Sequence, residues 1–256
     1  MQLGESMDWF IYFMICIMGM FLASFYNVLA IRLPVKKTLL GRSECPFCNH
    51  TLRPVDIIPI LGYVINKGRC HFCSERISIR YLIVEIIGGF SFVLGYYMFG
   101  YSWQYAVYLL FFSILLIEAL IDMEKKIILD RIWIFGLVPL VVLRIFQGEF
   151  FVYLLSSAIL FTTMFLISWT AQKIMKREAL GGGDVKLYIF IGFALTWILG
   201  FLSIFLASLF GFFYGITKKS KSNKEIPFVP FIGIGAIVSF LYGNMMIDLY
   251  LDLLRM

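Results

Sequence analysis

Long apolar runs alternate with short polar segments along this chain of 256 residues. The runs lack the strict alternation of apolar and polar positions that a membrane β-barrel strand needs. Most are close to the ~20 residues that a helix needs to cross a bilayer. The pattern therefore predicts an all-α polytopic membrane protein, with apolar segments at Trp9–Ile31, Tyr81–Phe99, Trp103–Ile121, Ile132–Phe146, Phe151–Ala171, Val185–Ile216 and Phe228–Leu251.

The run Val185–Ile216 is long for one span and short for two. A turn near Trp197–Gly200 would make it two helices and give eight spans in all. Four polar segments then face the same side of the membrane: Arg32–Arg80, Lys125–Arg131, Lys173–Lys186 and Lys218–Lys224. They hold 20 of the 22 Lys and Arg residues. Since cytoplasmic loops carry the excess of basic residues, this favours eight helices with both termini outside.

Composition agrees with a membrane protein, because the chain is 61% hydrophobic and only 15% charged. The net charge of +6 lies in the predicted cytoplasmic loops and does not indicate nucleic-acid binding. No basic residue precedes Trp9, so we expect a retained first helix rather than a cleaved signal peptide. We predict three parts: a first transmembrane helix at 1–31, a cytoplasmic domain at 32–80 and a membrane core at 81–256.

Two C-x2-C pairs stand in the predicted cytoplasmic domain, Cys45 with Cys48 and Cys70 with Cys73. Each pair places two thiols on one tight turn, and two such turns supply the four ligands of a closed tetrahedral zinc site. The cytoplasm disfavours disulfides, and a segment this short needs a staple. We predict a structural zinc site. The fifth cysteine, Cys16, is interpreted as a small residue facing lipid or another helix.

Other potential ligands lie beside the cysteines. Asn49, His50 and His71 are available as substitutes. Four thiolates already complete a structural site, so we interpret all three as loop residues.

Two carboxylates are predicted at the same membrane depth on the cytoplasmic side. Asp122 closes the third apolar segment, and Asp184 follows three glycines, Gly181, Gly182 and Gly183, which suggest unwound backbone at a helix start. Two aspartates within a few ångströms of each other can share a proton and activate water. The alternative is that Asp122 is a solvated loop residue and Asp184 a helix cap.

Four further charged residues have open roles at this point. Asp130 is interpreted as the helix N-cap of the fourth segment. Glu118 lies one turn before Asp122 and is able to pair with a lysine, tune Asp122 or line a cavity. Lys186 either neutralises a carboxylate or extends to the interface, and Glu85 is interpreted as a partner of nearby Arg80.

Five motifs in order make the chain resemble the type IV prepilin peptidases, also called prepilin leader peptidase/N-methyltransferases. They are Gly19–Val28 closing at Arg32–Pro34, the cysteine segment Cys45–Glu85, Ile121–Asp122, the G-x-G-D motif within Gly181–Leu187, and Ile226–Phe231. One difference is Leu129, which stands where the family commonly has proline.

The resemblance implies a substrate, a site and cofactors. The substrates would be prepilins or pseudopilins in the bacterial inner membrane, cleaved after a glycine at the cytoplasmic face. Asp122 and Asp184 would be catalytic, and S-adenosyl-methionine would methylate the new N-terminus. Acidic residues near the site, Glu124, Asp130 and Glu178, would offset the basic surface that faces a basic leader.

Two alternatives remain at this stage. The chain could be a peptidase without methyltransferase activity, or a zinc-stapled transporter or sensor whose carboxylates bind a cation. Loss of leader cleavage on substitution of Asp122 or Asp184 distinguishes the peptidase from the transporter.

Overall fold

The computed structural model describes residues 2–176, 180–217 and 226–255. Within them the chain forms helices and two isolated β-bridges. The helices are α1 (Gln2–Arg32), α2 (Pro54–Ile57), α3 (Leu61–Ile65), α4 (Ile79–Phe99), α5 (Trp103–Lys125), α6 (Asp130–Phe146), α7 (Phe150–Met175), α8 (Gly182–Ala194), α9 (Trp197–Thr217) and α10 (Val229–Arg255). The predicted all-helical class is confirmed. The basic segment Lys218–Lys224 and Glu178 lie outside the described residues.

Among the described residues, six helices are long and apolar enough to cross a membrane, α1, α4, α5, α7, α9 and α10. Helices α6 and α8 are shorter than these six, with 17 and 13 residues. The predicted run Val185–Ile216 does form two helices, but the break lies at Leu195–Thr196 rather than at Trp197–Gly200.

Arg144 and Ser156 explain where α8 ends. The guanidinium of Arg144 donates to the carbonyl oxygens of Phe193 and Ala194, at 3.2 and 3.1 Å. These carbonyls are among those that a helix end leaves without partners. The next helix then starts with the N–H of Trp197 donating to Oγ of Ser156 at 3.1 Å.

The chain divides into two compact units, 1–105 and 106–256. In the first, α1 and α4 approach closely at small residues. A Cβ added to Gly19 would lie 2.7 Å from the carbonyl oxygen of Gly88, and one added to Gly88 would lie 2.3 Å from the Cβ of Ala23. Membrane helices pack tightly where such small residues meet. The predicted division at 1–31, 32–80 and 81–256 stays a prediction.

In the second unit α5 is the most buried of the membrane-length helices, because 61% of the residues in its apolar stretch are buried. Its Phe111 ring packs against Phe190 of α8 and Phe240 of α10, with ring centroids 5.8 and 5.6 Å apart. The last turn of this central helix carries Asp122.

Candidate active site and metal centre

Asp122 lies in the last turn of α5 and is only 7% exposed. The helix runs one turn further than predicted, and Lys126 then ends it with a positive φ of 55°. Oδ2 of Asp122 accepts the backbone N–H of Val229 at 3.0 Å, and the N–H of Phe228 also donates to this carboxylate. Asp122 therefore accepts N–H groups at the start of α10, where the helix dipole favours negative charge. It is not a solvated loop residue.

Asp184 is the third residue of α8 and is 9% exposed. Its carboxylate accepts the backbone N–H of Gly181, while its own N–H donates to the carbonyl of Gly181 at 3.1 Å. This reciprocal pair is the carboxylate half of a capping box. Asp184 thus stands inside the first turn rather than at the N-cap, which is Gly181.

The carboxylates of Asp122 and Asp184 are close enough to interact electrostatically. Each lies at the N-terminus of a helix, Asp122 at α10 and Asp184 at α8. The structure therefore brings together two aspartates that are far apart in sequence.

The glycines before Asp184 differ from one another. Gly181 is extended, but α8 begins at Gly182, so the expectation of three unwound glycines was wrong for Gly182 and Gly183. A Cβ on Gly183 would lie 2.9 Å from the Cβ of Ile128, whereas nothing lies within 4 Å of one built on Gly182. Close packing accounts for Gly183, and the exposed backbone of Gly182 stays open to a partner.

The link between α5 and α6 connects the two aspartate helices. Besides Ile128, it contributes Asp130, whose Oδ2 pairs with Nζ of Lys186 at 2.8 Å and whose Oδ1 accepts Nε1 of Trp133 at 3.2 Å. Lys186 therefore neutralises a carboxylate, one of its two predicted roles. Asp130 is the first residue of α6 and not the predicted N-cap, which is Leu129.

Glu118 holds the same link from inside the unit. It is fully buried, and Oε2 accepts the N–H of Leu129 at 3.2 Å. Its Oε1 has no hydrogen-bond partner among the described residues. Glu118 also interacts electrostatically with Asp122 and Asp130. Its three predicted roles stay predictions, and the structure adds one that the sequence did not indicate, an anchor for the start of α6.

The four cysteines form one cluster, with all four Sγ atoms within 4.8 Å of one another. Sγ of Cys45 lies 3.9 Å from that of Cys73, and Sγ of Cys48 lies 4.0 Å from that of Cys70. Four thiolates around one Zn²⁺ at ~2.3 Å would be about 3.8 Å apart, so the donor set fits this metal. The N–H groups of Cys73 and Phe72 lower the pKa of the Cys70 thiol to about 7, whereas, against the N–H of Glu75, burial and the three neighbouring thiols raise the pKa of Cys73.

The two cysteine turns have the same backbone shape. The N–H groups of Asn49 and Ser74 donate to the carbonyls of Cys45 and Cys70, both at 2.9 Å. Asn49 and Ser74 also share a positive φ, 55° and 59°. An antiparallel bridge closes each turn, Glu44 with Thr51 and Arg69 with Arg76. The spacing of the cysteines therefore reflects one turn that occurs twice.

The other potential ligands and the fifth cysteine lie elsewhere. The rings of His50 and Phe72 lie 3.7 Å apart, and Nε2 of His71 is 3.1 Å from Nη1 of Arg53. Cys16 of α1 faces α4, because its Sγ would lie 3.2 Å from a Cβ on Gly89. It is thus a helix-facing residue, one of its two predicted settings.

Three polar residues of the first unit have contacts that the sequence did not indicate. No role was predicted for Ser24 or Asn27, and Glu85 was interpreted as a partner of Arg80. Oε2 of Glu85 accepts the N–H of Ile60 at 2.8 Å, and Ser24 also hydrogen-bonds to this carboxylate. Asn27 is 1% exposed. The available signal was the presence of polar side chains in apolar membrane segments, where they are costly.

Comparison with known proteins agrees with this organisation. Residues 17–99 match the model of the bacterial peptidase A24 N-terminal domain, and residues 109–216 match that of the type IV leader peptidase family. No solved structure matches the chain.

Curated relatives extend the match over most of the chain. A prepilin leader peptidase/N-methyltransferase of Bacillus subtilis is 33% identical over 244 residues, which cover 93% of this chain and 96% of the relative. Proteins of the same name from Stutzerimonas stutzeri and Pseudomonas aeruginosa are both 27% identical, over 95% and 94% of this chain and 96% and 94% of their own lengths. The chain therefore belongs to the type IV leader peptidase family and is a membrane peptidase.

Proposed function

We propose that this protein removes the leader peptide of type IV prepilins and pseudopilins, with Asp122 and Asp184 activating a water molecule, and then methylates the new N-terminus. The names of the relatives support both activities. The observation that carries the peptidase proposal is the proximity of two buried aspartates at the N-termini of different helices.

The chemistry needs two carboxyl groups in different protonation states. One carboxylate takes a proton from water as the oxygen attacks the scissile carbonyl, and the other carboxyl donates its proton to the carbonyl oxygen. Two close carboxylates do not ionise together easily, so a pair with one proton is the expected resting state. Collapse of the tetrahedral intermediate breaks the C–N bond, and the departing amine takes up a proton.

Access to the pair supports a peptide substrate. Gly182 is exposed and has open space where a side chain would stand, so an extended backbone is able to approach α8 next to Asp184. Three acidic residues were proposed to face a basic leader. Of these, Asp130 is paired with Lys186, Glu178 lies outside the described residues, and Glu124 is exposed two residues after Asp122.

We place the site at the cytoplasmic face of the inner membrane, with eight spans and both termini outside. The distribution of basic residues supports this arrangement. The shortest span would be α8, whose 13 residues extend ~20 Å at 1.5 Å per residue. Capping of its C-terminus by Arg144 allows such a short helix to end within protein.

The metal and the methyl donor have separate parts in this proposal. The four thiols of Cys45, Cys48, Cys70 and Cys73 would hold zinc as a staple for the 32–80 segment, with no role in cleavage. S-adenosyl-methionine would supply an activated methyl group for the amine released by cleavage.

Cleavage of a purified prepilin by the purified protein in bilayer nanodiscs tests the proposal. Asp122→Asn and Asp184→Asn should each abolish cleavage while the metal content and the unfolding temperature stay close to wild type. The control is Asp252→Asn, because Asp252 is exposed near the end of α10. Cleavage by either active-site variant at the wild-type rate would exclude the aspartate pair. Mass spectrometry of the mature N-terminus then separates a bifunctional enzyme from a peptidase alone.

A further inference from the structure

The first unit contains a cavity of about 540 Å³ between the end of α1, the cysteine turns and the start of α4. Pockets that bury a small organic ligand measure ~300–1,000 Å³. The wall includes Asn27, Ser24 and Glu85, which belong to α1 and α4. None of these residues belongs to the proposed peptidase pair or to the cysteine cluster.

Asn27 has an unmet hydrogen-bonding group in this wall. The residue is 1% exposed, and its Oδ1 has no partner among the described residues. Its Nδ2 donates to the carbonyl of Ala23 at 3.4 Å, a long bond. A buried acceptor without a donor costs about 1–3 kcal/mol. A ligand amino group inside the cavity would supply that donor.

Glu85 is fixed in the same wall by a strained turn. The N–H that it accepts belongs to Ile60, which has φ 61° and ψ −52°. The N–H of Leu61 donates to the carbonyl of Pro59 at 2.6 Å, so Ile60 is the centre of a γ-turn of the rare positive-φ kind. Such backbone strain persists only where the surroundings impose it, and it concentrates at ligand sites.

The rest of the cavity wall supplies aromatic and cationic groups. Tyr63, Tyr81 and Phe47 offer ring faces, and Arg69 and Arg76 stand at its exposed side. The cavity wall therefore offers a buried carboxylate, a buried amide acceptor, aromatic rings and guanidinium groups. A ligand with hydroxyl or cationic groups at one end, a heteroaromatic ring and a carboxylate matches this set.

We propose that this cavity is the binding site for S-adenosyl-methionine, with Asn27 accepting an amino group of the ligand and Glu85 facing its cationic or hydroxyl groups. The proposal rests on the methyltransferase part of the proposed function and adds the residues that perform it. In the transfer, the unprotonated N-terminal amine forms a bond to the methyl carbon. The carbon–sulfur bond breaks with its electron pair left on sulfur, and the product ammonium releases a proton to water.

Direct binding tests the site without reference to turnover. Equilibrium dialysis of radiolabelled S-adenosyl-methionine is measured with the full chain in nanodiscs for wild type, Asn27→Leu and Glu85→Gln. We expect at least tenfold weaker binding for both variants, with leader cleavage within twofold of wild type. Matched controls are Asn244→Leu and Glu75→Gln, which change exposed residues outside the cavity wall and should bind as wild type.

Two results would overturn the assignment. One is unchanged binding by Asn27→Leu and Glu85→Gln, and the other is a wild-type protein that cleaves prepilin but binds no S-adenosyl-methionine. A protein that binds the ligand but cleaves nothing would instead contradict the peptidase proposal and leave this one standing.

Ultraviolet crosslinking of the bound radioligand to wild-type protein covers the case in which a variant fails to fold. Label on peptides spanning residues 24–32 or 43–85 supports the site. Label confined to the second unit contradicts it.

Discussion

Ile128 packs against Gly183 so closely that a Cβ on the glycine would lie 2.9 Å from the Cβ of the isoleucine. The link that follows Asp122 thereby touches the residue that precedes Asp184. We expect the distance between the two aspartates to depend on this contact, which makes it the first place to test.

Gly183→Ala should slow leader cleavage by about tenfold or more. The added methyl group forces Ile128 and the α5–α6 link away from α8, and overpacking of this kind costs about 1–3 kcal/mol. Gly215→Ala in α9 is the matched control, because the same methyl group enters open space there. Steady-state cleavage kinetics compare the two variants, and cleavage by Gly183→Ala at the rate of this control would contradict a role for the contact with Ile128.

Glu118→Leu should lower both stability and cleavage. The change leaves the N–H of Leu129 without its buried acceptor, at a cost of about 1–3 kcal/mol. Glu118→Gln keeps an acceptor oxygen and should recover most of the stability. Unfolding temperature and cleavage rate are measured together, with Glu75→Gln as an exposed control. A fully inactive but stable Gln variant would instead assign Glu118 a part in proton transfer.

Asp130 and Lys186 should contribute little to stability despite their short distance of 2.8 Å. Their side chains are 48% and 49% exposed, and exposed ion pairs are worth about 0.2–1 kcal/mol. A double-mutant cycle with Asp130→Asn and Lys186→Met, measured by chemical unfolding in detergent, should give a coupling energy in this range. A coupling several times larger would mean that the pair is shielded from water in the membrane.

Arg144→Lys should destabilise the second unit although the charge is kept. One guanidinium donates to two carbonyls of α8, and its carbon lies 3.5 Å from the ring centroid of Tyr153. A lysine cannot reproduce this planar fork. We expect a loss of about 1.5–3 kcal/mol, the value of one hydrogen bond to a charged group. Thermal unfolding measures it, and Arg131→Lys, an exposed position near the start of α6, should stay at the wild-type value.

Cys45→Ser or Cys73→Ser should remove the metal, which we expect at one zinc per chain in the wild type. Elemental analysis of the purified protein measures the content, and limited proteolysis reports on the 32–80 segment. The variants should be cut faster in this segment, because the staple that holds the two turns is lost. Cys16→Ser should keep both the metal and the protease resistance, and metal retention by the Cys45 variant would exclude the four-thiolate site.

The sequence predicted best what depends on short range. The cysteine cluster follows from two similar turns, each set by residues close in sequence. The placement of Asp122 and Asp184 on the cytoplasmic side, drawn from the distribution of basic residues, stays a prediction. Helix ends were less accurate, because packing and not local propensity sets them. Lys126 ends α5 one turn later than predicted, and Gly183, which packs against Ile128, already belongs to α8.

Contacts between buried polar groups were beyond the sequence. In the sequence, Arg144 is a basic residue at the end of a span with no evident partner. Packing brings it to its acceptors, the carbonyl oxygens of Phe193 and Ala194. Asn27 and Glu85 belong to different helices, and no pattern in either helix indicates that they share a cavity. Such pairings depend on how helices rotate about their axes.

The attachment of α10 to Asp122 gives that carboxylate a structural part beside the catalytic one proposed for it. The N–H groups of Phe228 and Val229 both donate to it. A reaction cycle that adds a proton to Asp122 and removes it again would loosen and tighten the last helix in step. Under the proposed mechanism, the carboxylate that activates water would thus also set how firmly the start of α10 is held.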